Sequence, residues 1–149
     1  MNRKWSIQER GFTLIEVLVV MTIIGILATL IVPALMMSYY KAIDRRVITE
    51  MRTIIIAIGL YRLDYDIVPQ SANYKELVNL LNSDIGGIAP IPERDAWKHL
   101  LVYHAVSEAA YTLISYGRDG IKGNPASSES FDPDADVIVI NGEFVATNR

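Results

Sequence analysis

The sequence has no cysteine among its 149 residues. Disulfide bonds therefore cannot stabilise it, and thiol chemistry and cysteine-bound metals are excluded. Positive charge is also scarce, because 14 Lys and Arg residues face 17 Asp and Glu residues and the net charge is −3. Since nucleic-acid binding requires a basic surface, we expect no nucleic-acid partner.

The sequence also lacks the short motifs that mark common catalytic sites. It contains no nucleophile elbow, no phosphate-binding glycine loop and no paired-histidine zinc motif. Its two histidines, His99 and His104, are five residues apart around a predicted strand. This odd spacing places them on opposite faces, so they are not expected to share a metal ion or a catalytic step. We expect a protein that is not an enzyme.

A long apolar run is present near the N-terminus. Residues 12–37 form a stretch of 26 residues that would extend ~39 Å as a helix, more than the ~30 Å hydrocarbon thickness of a bilayer. Residues 1–11 are basic, and their removal would change the net charge from −3 to −5. The run predicts a membrane-spanning helix. An ordinary secretory signal is a poorer match because its apolar core has ~7–15 residues, whereas an uncleaved signal anchor remains an alternative.

One carboxylate, Glu16, interrupts this run. A charge near the centre of a membrane helix costs roughly 2.5–3.5 kcal/mol, and less toward the end, so Glu16 requires a partner. The nearest cationic side chains along the sequence are Arg10 and Lys41, outside the apolar run on either side. If the chain were cut after Gly11, the free amine of Phe12 on a neighbouring copy could pair with Glu16. The charge would then serve assembly.

The stretch GFTLIEVLVVMTIIGILATLIVPAL, residues 11–35, resembles the N-terminal signature of type IV pilins and of the pseudopilins of type II secretion. The resemblance implies that a prepilin peptidase cleaves between Gly11 and Phe12 and methylates the new amine of Phe12. It implies that Glu16 aids subunit docking, that Pro33 is part of the same assembly signature, and that the helix polymerises at the centre of a filament. It also implies a single-pass protein of the bacterial inner membrane, with its head domain in the periplasm.

Beyond the apolar run, the pattern of a long helix continues. Apolar residues recur at steps of three and four and predict one buried face, formed by Ile43, Val47, Met51, Ile54, Ile58, Tyr61 and Tyr65. Charged residues, Asp44 and Arg46 among them, are expected on the other faces, with Arg46 and Glu50 forming an exposed pair. Pro33 is expected to kink the helix. Because Val68 precedes Pro69, the helix should end near Asp66.

The remaining segments predict a second helix and several strands. Residues 73–81 have the pattern of a short helix, and residues 100–104, 110–115 and 137–140 are rich in aromatic and β-branched residues. A Gly86-Gly87 and Pro90 to Pro92 connection separates the second helix from the strands. We expect an α+β, pilin-like fold, in which a long N-terminal transmembrane and stalk helix packs on a small antiparallel sheet. The predicted divisions are residues 1–11, a cleaved leader; 12–37, the membrane and assembly helix; and 38–149, the stalk continuation and head, where Trp97 should fill the core.

An acidic, glycine-rich loop follows residue 116. It combines Gly117, Gly120 and Gly123 with the carboxylates of Asp119, Asp132, Asp134 and Asp136. Calcium prefers six to eight oxygen ligands, which such a turn can supply, although the spacing differs from an EF-hand. Two interpretations remain open from the residues alone, a calcium site and a solvated acidic turn.

SYGRDGIKG followed by DAD is similar to a segment of the major pseudopilin of type II secretion. In that family the head binds calcium, which implies Asp119, Asp134 and Asp136 as ligands and Ser115 as a further candidate. The implied function is a structural subunit of the periplasmic pseudopilus that drives export of folded proteins, with other copies, other pseudopilins and the inner-membrane secretion platform as partners. The alternatives are a type IV pilin for adhesion, motility or DNA uptake, and a signal-anchored, calcium-dependent periplasmic protein.

Overall fold

The computed structural model describes residues 11–84, 91–123, 125–127 and 129–148. Residues 1–10 of the predicted leader (1–11) and the Gly86-Gly87 and Pro90 part of the predicted connection lie outside these ranges. The described part contains two helices, α1 (Leu14–Tyr65) and α2 (Tyr74–Asp84), and four strands, β1 (Val102–Ser107), β2 (Ala110–Ser115), β3 (Val137–Ile140) and β4 (Glu143–Ala146). The chain divides into two units between Ser38 and Tyr39.

Helix α1 belongs to both units and has defined ends. Thr13 caps its start, because the Thr13 hydroxyl accepts a hydrogen bond from the backbone N–H of Glu16 at 3.3 Å. The helix ends at Tyr65, and Asp66 follows with a positive φ of 64°. The N–H of Asp66 still bonds to the carbonyl of Arg62, so the last turn is closed by a residue in the left-handed conformation. The predicted end of the helix is confirmed.

In the first unit, α1 is apolar on every side and has no internal core. All residues from 11 to 39 are exposed, and Leu14, for example, is 84% exposed. One helix of the described chain is long and apolar enough to cross a membrane, and none of its most apolar 18-residue window is buried. Pro33 lies inside the uninterrupted helix α1.

In the second unit, the C-terminal half of α1 forms one side of a hydrophobic core. Val47, Met51, Ile54 and Ile58 are almost fully buried, as the periodicity predicted. Two predictions for this helix are wrong. Tyr65 is 52% exposed because it is the last helical residue, and Asp44 is buried at 2% exposure although charged residues were expected on the outer faces.

Helix α2 is capped at its start by a reciprocal arrangement. The Asn73 side chain accepts from the N–H of Glu76, and the Glu76 carboxylate accepts from the N–H of Ala72, each at 3.0 Å. The observed helix begins at Tyr74 and runs to Asp84, three residues beyond the prediction. Its buried residues, which include Leu77 and Leu81, contribute to the same core as α1.

The four strands form one antiparallel sheet in the order β1-β2-β3-β4. The predicted bounds of β2 and β3 are confirmed, whereas β1 begins and ends later than expected and β4 was not predicted. Leu113, Val137 and Val139 are completely buried and close the core against α1 and α2. Trp97 is only partly buried and packs at the edge of this core.

Candidate functional site

The N-terminal site consists of the first residues of α1. Phe12 and Thr13 precede the helix, and Glu16 lies in its first turn, where the helix dipole favours a negative charge. Within the described residues the Glu16 carboxylate forms no ion pair. The Glu16 carboxylate therefore lies in an exposed apolar segment with no ion-pair partner among the described residues.

The acidic loop is a second candidate site. At two of its glycines, Gly117 and Gly120, another part of the chain comes too close for a side chain. Gly117 has a φ of 62°, and a Cβ there would lie 2.8 Å from the carbonyl oxygen of Pro133. Gly120 has a φ of 68°, and a Cβ there would lie 2.6 Å from Nδ1 of His99. Residues 117–120 therefore pack closely against the 133–135 turn and the ring of His99. Only glycine allows both the positive φ and this close contact.

Asp136 is the most constrained carboxylate of this loop. It is 3% exposed, its Oδ2 accepts from the N–H of Gly123 at 3.1 Å, and its Oδ1 is buried with no hydrogen-bond partner among the residues that the structure describes. Burial raises the pKa of Asp136 above its usual range and the charge of Asp119 raises it further, whereas the Gly123 bond and the positive charge of Lys122 lower it. The structure thus brings Asp136 and Asp119 close enough for their charges to interact.

The other two predicted ligands have partners within the protein. Nε and a terminal nitrogen of Arg118 donate hydrogen bonds to the two carboxylate oxygens of Asp134, at 2.7 and 2.6 Å. Ser115 is fully buried and donates to Oδ2 of Asp95 at 2.7 Å. Among the residues that the structure describes, no group of three or more His, Asp and Glu side chains is arranged to hold a metal ion.

The residues present nevertheless offer oxygen atoms of the kind that calcium prefers. Asp136 Oδ1 is a buried acceptor that lacks a donor, and the carbonyl oxygen of Ile121 faces the same space beside Gly123. Asp119 uses Oδ1 to accept from the N–H of Ile121 at 2.9 Å. Asp136, Asp119 and backbone carbonyls are the groups that would hold a calcium ion here, whereas Asp134 is engaged by Arg118.

The two histidines differ in their contacts, and His99 lies before β1 rather than on it. Nε2 of His99 lies 3.0 Å from the carbonyl oxygen of Arg118, to which it must donate because a carbonyl only accepts. The backbone N–H of His99 donates to Asp95 Oδ1 at 2.8 Å. His104 is exposed on β1. Asp95 therefore holds His99, and His99 in turn contacts the acidic loop through the Arg118 carbonyl. Among the described contacts, His104 makes no hydrogen bond to this loop.

Sequence reasoning missed a buried polar pocket on α1. Among the residues that the structure describes, one carboxylate oxygen of Asp44 has no hydrogen-bond partner, and a pocket of about 210 Å³ is lined by Asp44, Lys41, Arg45, Phe131 and Asn148. Burial raises the pKa of Asp44, while a hydrogen bond from Asn148 lowers it. A signal was available, because Asp44 is three residues before Val47 and falls on the predicted apolar face.

Comparison with known proteins places this N-terminal site in a recognised class. The family profile described as the prokaryotic N-terminal methylation motif matches residues 8–32. These residues contain Gly11, Phe12 and Glu16, together with most of the exposed apolar segment. No solved structure gave a significant match.

Curated relatives extend the similarity over most of the chain. Type II secretion system core protein G of Escherichia coli strain K12 is 32% identical over 127 residues, which cover 78% of this chain and 86% of the relative. The Aeromonas hydrophila protein of the same name is 35% identical, covering 78% and 87%. That of Pseudomonas aeruginosa strain PAO1 is 31% identical, covering 87% and 94%. With its N-terminal methylation motif, its membrane-anchoring apolar helix and its α+β head, the chain belongs to the family of type II secretion system core protein G, the major pseudopilins.

Proposed function

We propose that this chain is a structural subunit of the type II secretion pseudopilus, which polymerises through α1 to drive export of folded proteins across the outer membrane. The single observation that carries the proposal is Glu16, a carboxylate without an ion-pair partner in the described chain, within an exposed apolar segment. A second copy of the chain could cover the apolar segment with its own α1. Its free Phe12 amine could supply the positive charge that pairs with Glu16. The role is assembly rather than catalysis.

The proposal includes processing before assembly. A prepilin peptidase would cut between Gly11 and Phe12 and methylate Phe12, leaving the apolar helix in the inner membrane and the head in the periplasm. Assembly would then involve other copies of the chain, other pseudopilins and the inner-membrane platform. The match of the N-terminal methylation motif to residues 8–32 supports the processing step of this proposal.

Replacing Gly11 with leucine tests the processing step. A Cβ at Gly11 meets no atom within 4 Å, so the substitution should not disturb the fold and should act only on peptidase recognition. We expect the intact mass of the membrane-extracted chain to retain residues 1–11 in Gly11→Leu. The Gly25→Leu chain, altered at another glycine with no neighbour within 4 Å, should still lose them. Mature-length, N-methylated Gly11→Leu protein would refute the assigned cleavage site.

We further propose that the acidic loop binds calcium. Asp136 Oδ1 supports this proposal most directly, because a buried carboxylate oxygen without a donor is costly and a cation would satisfy it. Calcium would supply positive charge that crosslinks the 117–123 segment to the 132–136 segment. In a chain without disulfides, such a crosslink offers an alternative means of stabilising a small head.

Thermal unfolding of the full chain in detergent, with calcium and with chelator, tests this second proposal. Ligand at a hundred times its dissociation constant should stabilise the folded state by about 2.7 kcal/mol. We expect Asp136→Asn and Asp119→Asn to abolish the calcium-dependent rise of the midpoint. Glu129→Gln, which removes an exposed charge from the same acidic loop, should retain it. An equal midpoint in calcium and chelator for the unaltered chain would reduce the loop to a solvated turn.

A further inference from the structure

The polar pocket on α1 presents two positive charges that have no ion-pair partner among the described residues. Lys41 and Arg45 are both exposed on α1, and both line the pocket of about 210 Å³ together with Asp44, Phe131 and Asn148. The two ion pairs formed within the described chain involve neither of these basic side chains. The pocket is therefore able to attract an anion.

The positions of the two charges favour an anion between them. Nζ of Lys41 lies 5.4 Å from the centroid of the Phe131 ring, a cation–π distance that keeps the ammonium group at the pocket. Arg45 follows Lys41 by four residues on the same helix, so the two side chains extend from one helix face. Like charges at this spacing repel each other, and an anion bound to both relieves that repulsion.

Asp44 does not neutralise this pair, although it lines the same pocket. It is 2% exposed, and within the described residues it forms no ion pair and one of its oxygens has no hydrogen-bond partner. Burial raises the pKa of Asp44, because it disfavours the ionised form. The one group in the pocket that opposes an anion is thus also the one whose charge burial penalises.

The size and the position of the pocket suit a lipid headgroup. Its volume is below the ~300–1,000 Å³ of pockets for cofactors and drug-sized ligands, so it fits a small group. Lys41 is only four residues after Met37, the end of the apolar run. Four residues rise ~6 Å in a helix and reach at most ~14 Å when extended, and the headgroup region of a bilayer is roughly 5–8 Å thick on each side. In either conformation, Lys41 can reach the headgroups.

We propose that this pocket binds the phosphate of an anionic phospholipid, with Lys41 and Arg45 supplying the positive charge. The membrane that covers the apolar helix provides this ligand at high local concentration. Tyr39, which is 59% exposed, is an aromatic residue of the type enriched at membrane–water interfaces. The bound lipid holds this part of the head at the membrane surface. The inference requires the membrane anchor, but neither cleavage, filament assembly nor calcium binding.

Native mass spectrometry of the full chain in detergent tests this inference, with phosphatidylglycerol added as an anionic lipid and phosphatidylcholine as a zwitterionic one. We expect the unaltered chain to bind phosphatidylglycerol more tightly. Lys41→Gln and Arg45→Gln should each weaken that binding about five-fold, which corresponds to the ~1 kcal/mol that one basic residue contributes at an anionic membrane surface. Asp44→Asn, which removes the opposing charge, should strengthen it. Phosphatidylcholine binding should be unchanged in all three variants.

Arg52→Gln is the matched control. Arg52 is also exposed on α1, and its guanidinium lies 5.8 Å from the centroid of the Phe144 ring, but it does not line the pocket. This variant loses the same charge and the same kind of aromatic contact as Lys41→Gln, so its affinity for phosphatidylglycerol should equal that of the unaltered chain. Lys41→Arg, which keeps the charge, should also retain the affinity. The unfolding midpoint in detergent checks that each variant is folded.

Three outcomes would overturn the proposal. Equal affinity of the unaltered chain for the two lipids would show that the pocket does not select an anionic headgroup. An equal loss of affinity in Arg52→Gln and in the pocket variants would mean that total charge, and not this pocket, attracts the lipid. If Lys41→Gln and Arg45→Gln retain lipid binding but lose filament yield, the pocket contacts another copy of the chain instead.

Discussion

At the scale of single residues, Asp44 is the charge whose position most needs a physical account. It lies on the buried face of α1, one turn before Val47, and is 2% exposed. One oxygen has no partner, and Asn148, whose amide also bonds to the carbonyl of Asp132 at 2.9 Å, supplies the main opposing interaction. Asp44 and Asn148 line the same pocket between α1 and the C-terminal segment, and burial of the ionised carboxylate is expected to lower the stability of the folded state.

Asp44→Asn should therefore stabilise the protein near neutral pH. Burial raises the pKa of Asp44, so the folded state holds this proton more tightly than the unfolded chain does. The penalty is present when the carboxylate is ionised and is relieved as the pH falls through the raised pKa. We expect a gain of about 1 kcal/mol, or roughly 4 °C, at pH 7, which shrinks as the pH is lowered toward 4.

Thermal unfolding across this pH range measures the difference, and Asp64→Asn is the control. Asp64 is exposed on the same helix, so its substitution should leave the midpoint nearly unchanged at every pH. A less stable Asp44→Asn at pH 7 would mean that the charge is required, through Lys41 or Arg45 in the same pocket, and would contradict the desolvation argument.

At the scale of elements, the sequence correctly predicted the segments in which local residue patterns, such as a proline or an apolar run, match the structure that tertiary packing requires. The end of α1 follows from Pro69, and β2 and β3 follow from their apolar runs. Strand β4 (Glu143–Ala146) was not predicted, although Asn141 and Gly142 before it have φ values of 52° and 88°. An Asn-Gly pair before a short alternating segment indicates a hairpin, and this signal was available.

The candidate site was predictable only in part, for a related reason. The acids of the loop are visible in the sequence, but Arg118 and Asp134 are 16 residues apart and meet only because Gly117 lets the two segments approach closely. Ser115 and Asp95 are 20 residues apart, and their buried hydrogen bond likewise depends on tertiary packing. Residue type and spacing indicate which groups are present, whereas tertiary packing decides which of them become partners.

At the scale of the whole molecule, the chain consists of two units that differ in how their apolar surface is covered. Residues 39–149 have a core of their own, whereas the apolar surface of residues 11–38 is covered by nothing within the described chain. A bilayer can cover that surface, but it leaves the Glu16 carboxylate without a counter-charge. A filament of identical copies supplies both apolar contact and, from a processed N-terminus, a positive charge. The two environments therefore make different demands on Glu16.

Glu16→Ala should separate membrane insertion from assembly. Loss of the carboxylate removes a charge from the apolar helix, so insertion should be unchanged or easier, whereas the proposed pairing with the Phe12 amine disappears. We expect full recovery of Glu16→Ala in the membrane fraction and a filament yield at least about ten-fold below that of the unaltered chain, which corresponds to about 1.4 kcal/mol per contact. Thr29→Val is the matched control, because the Thr29 hydroxyl bonds within its own helix to the Ile26 carbonyl at 2.7 Å. Normal filament yield from Glu16→Ala would show that apolar packing alone drives assembly, and a loss of both variants from the membrane would place the defect in insertion.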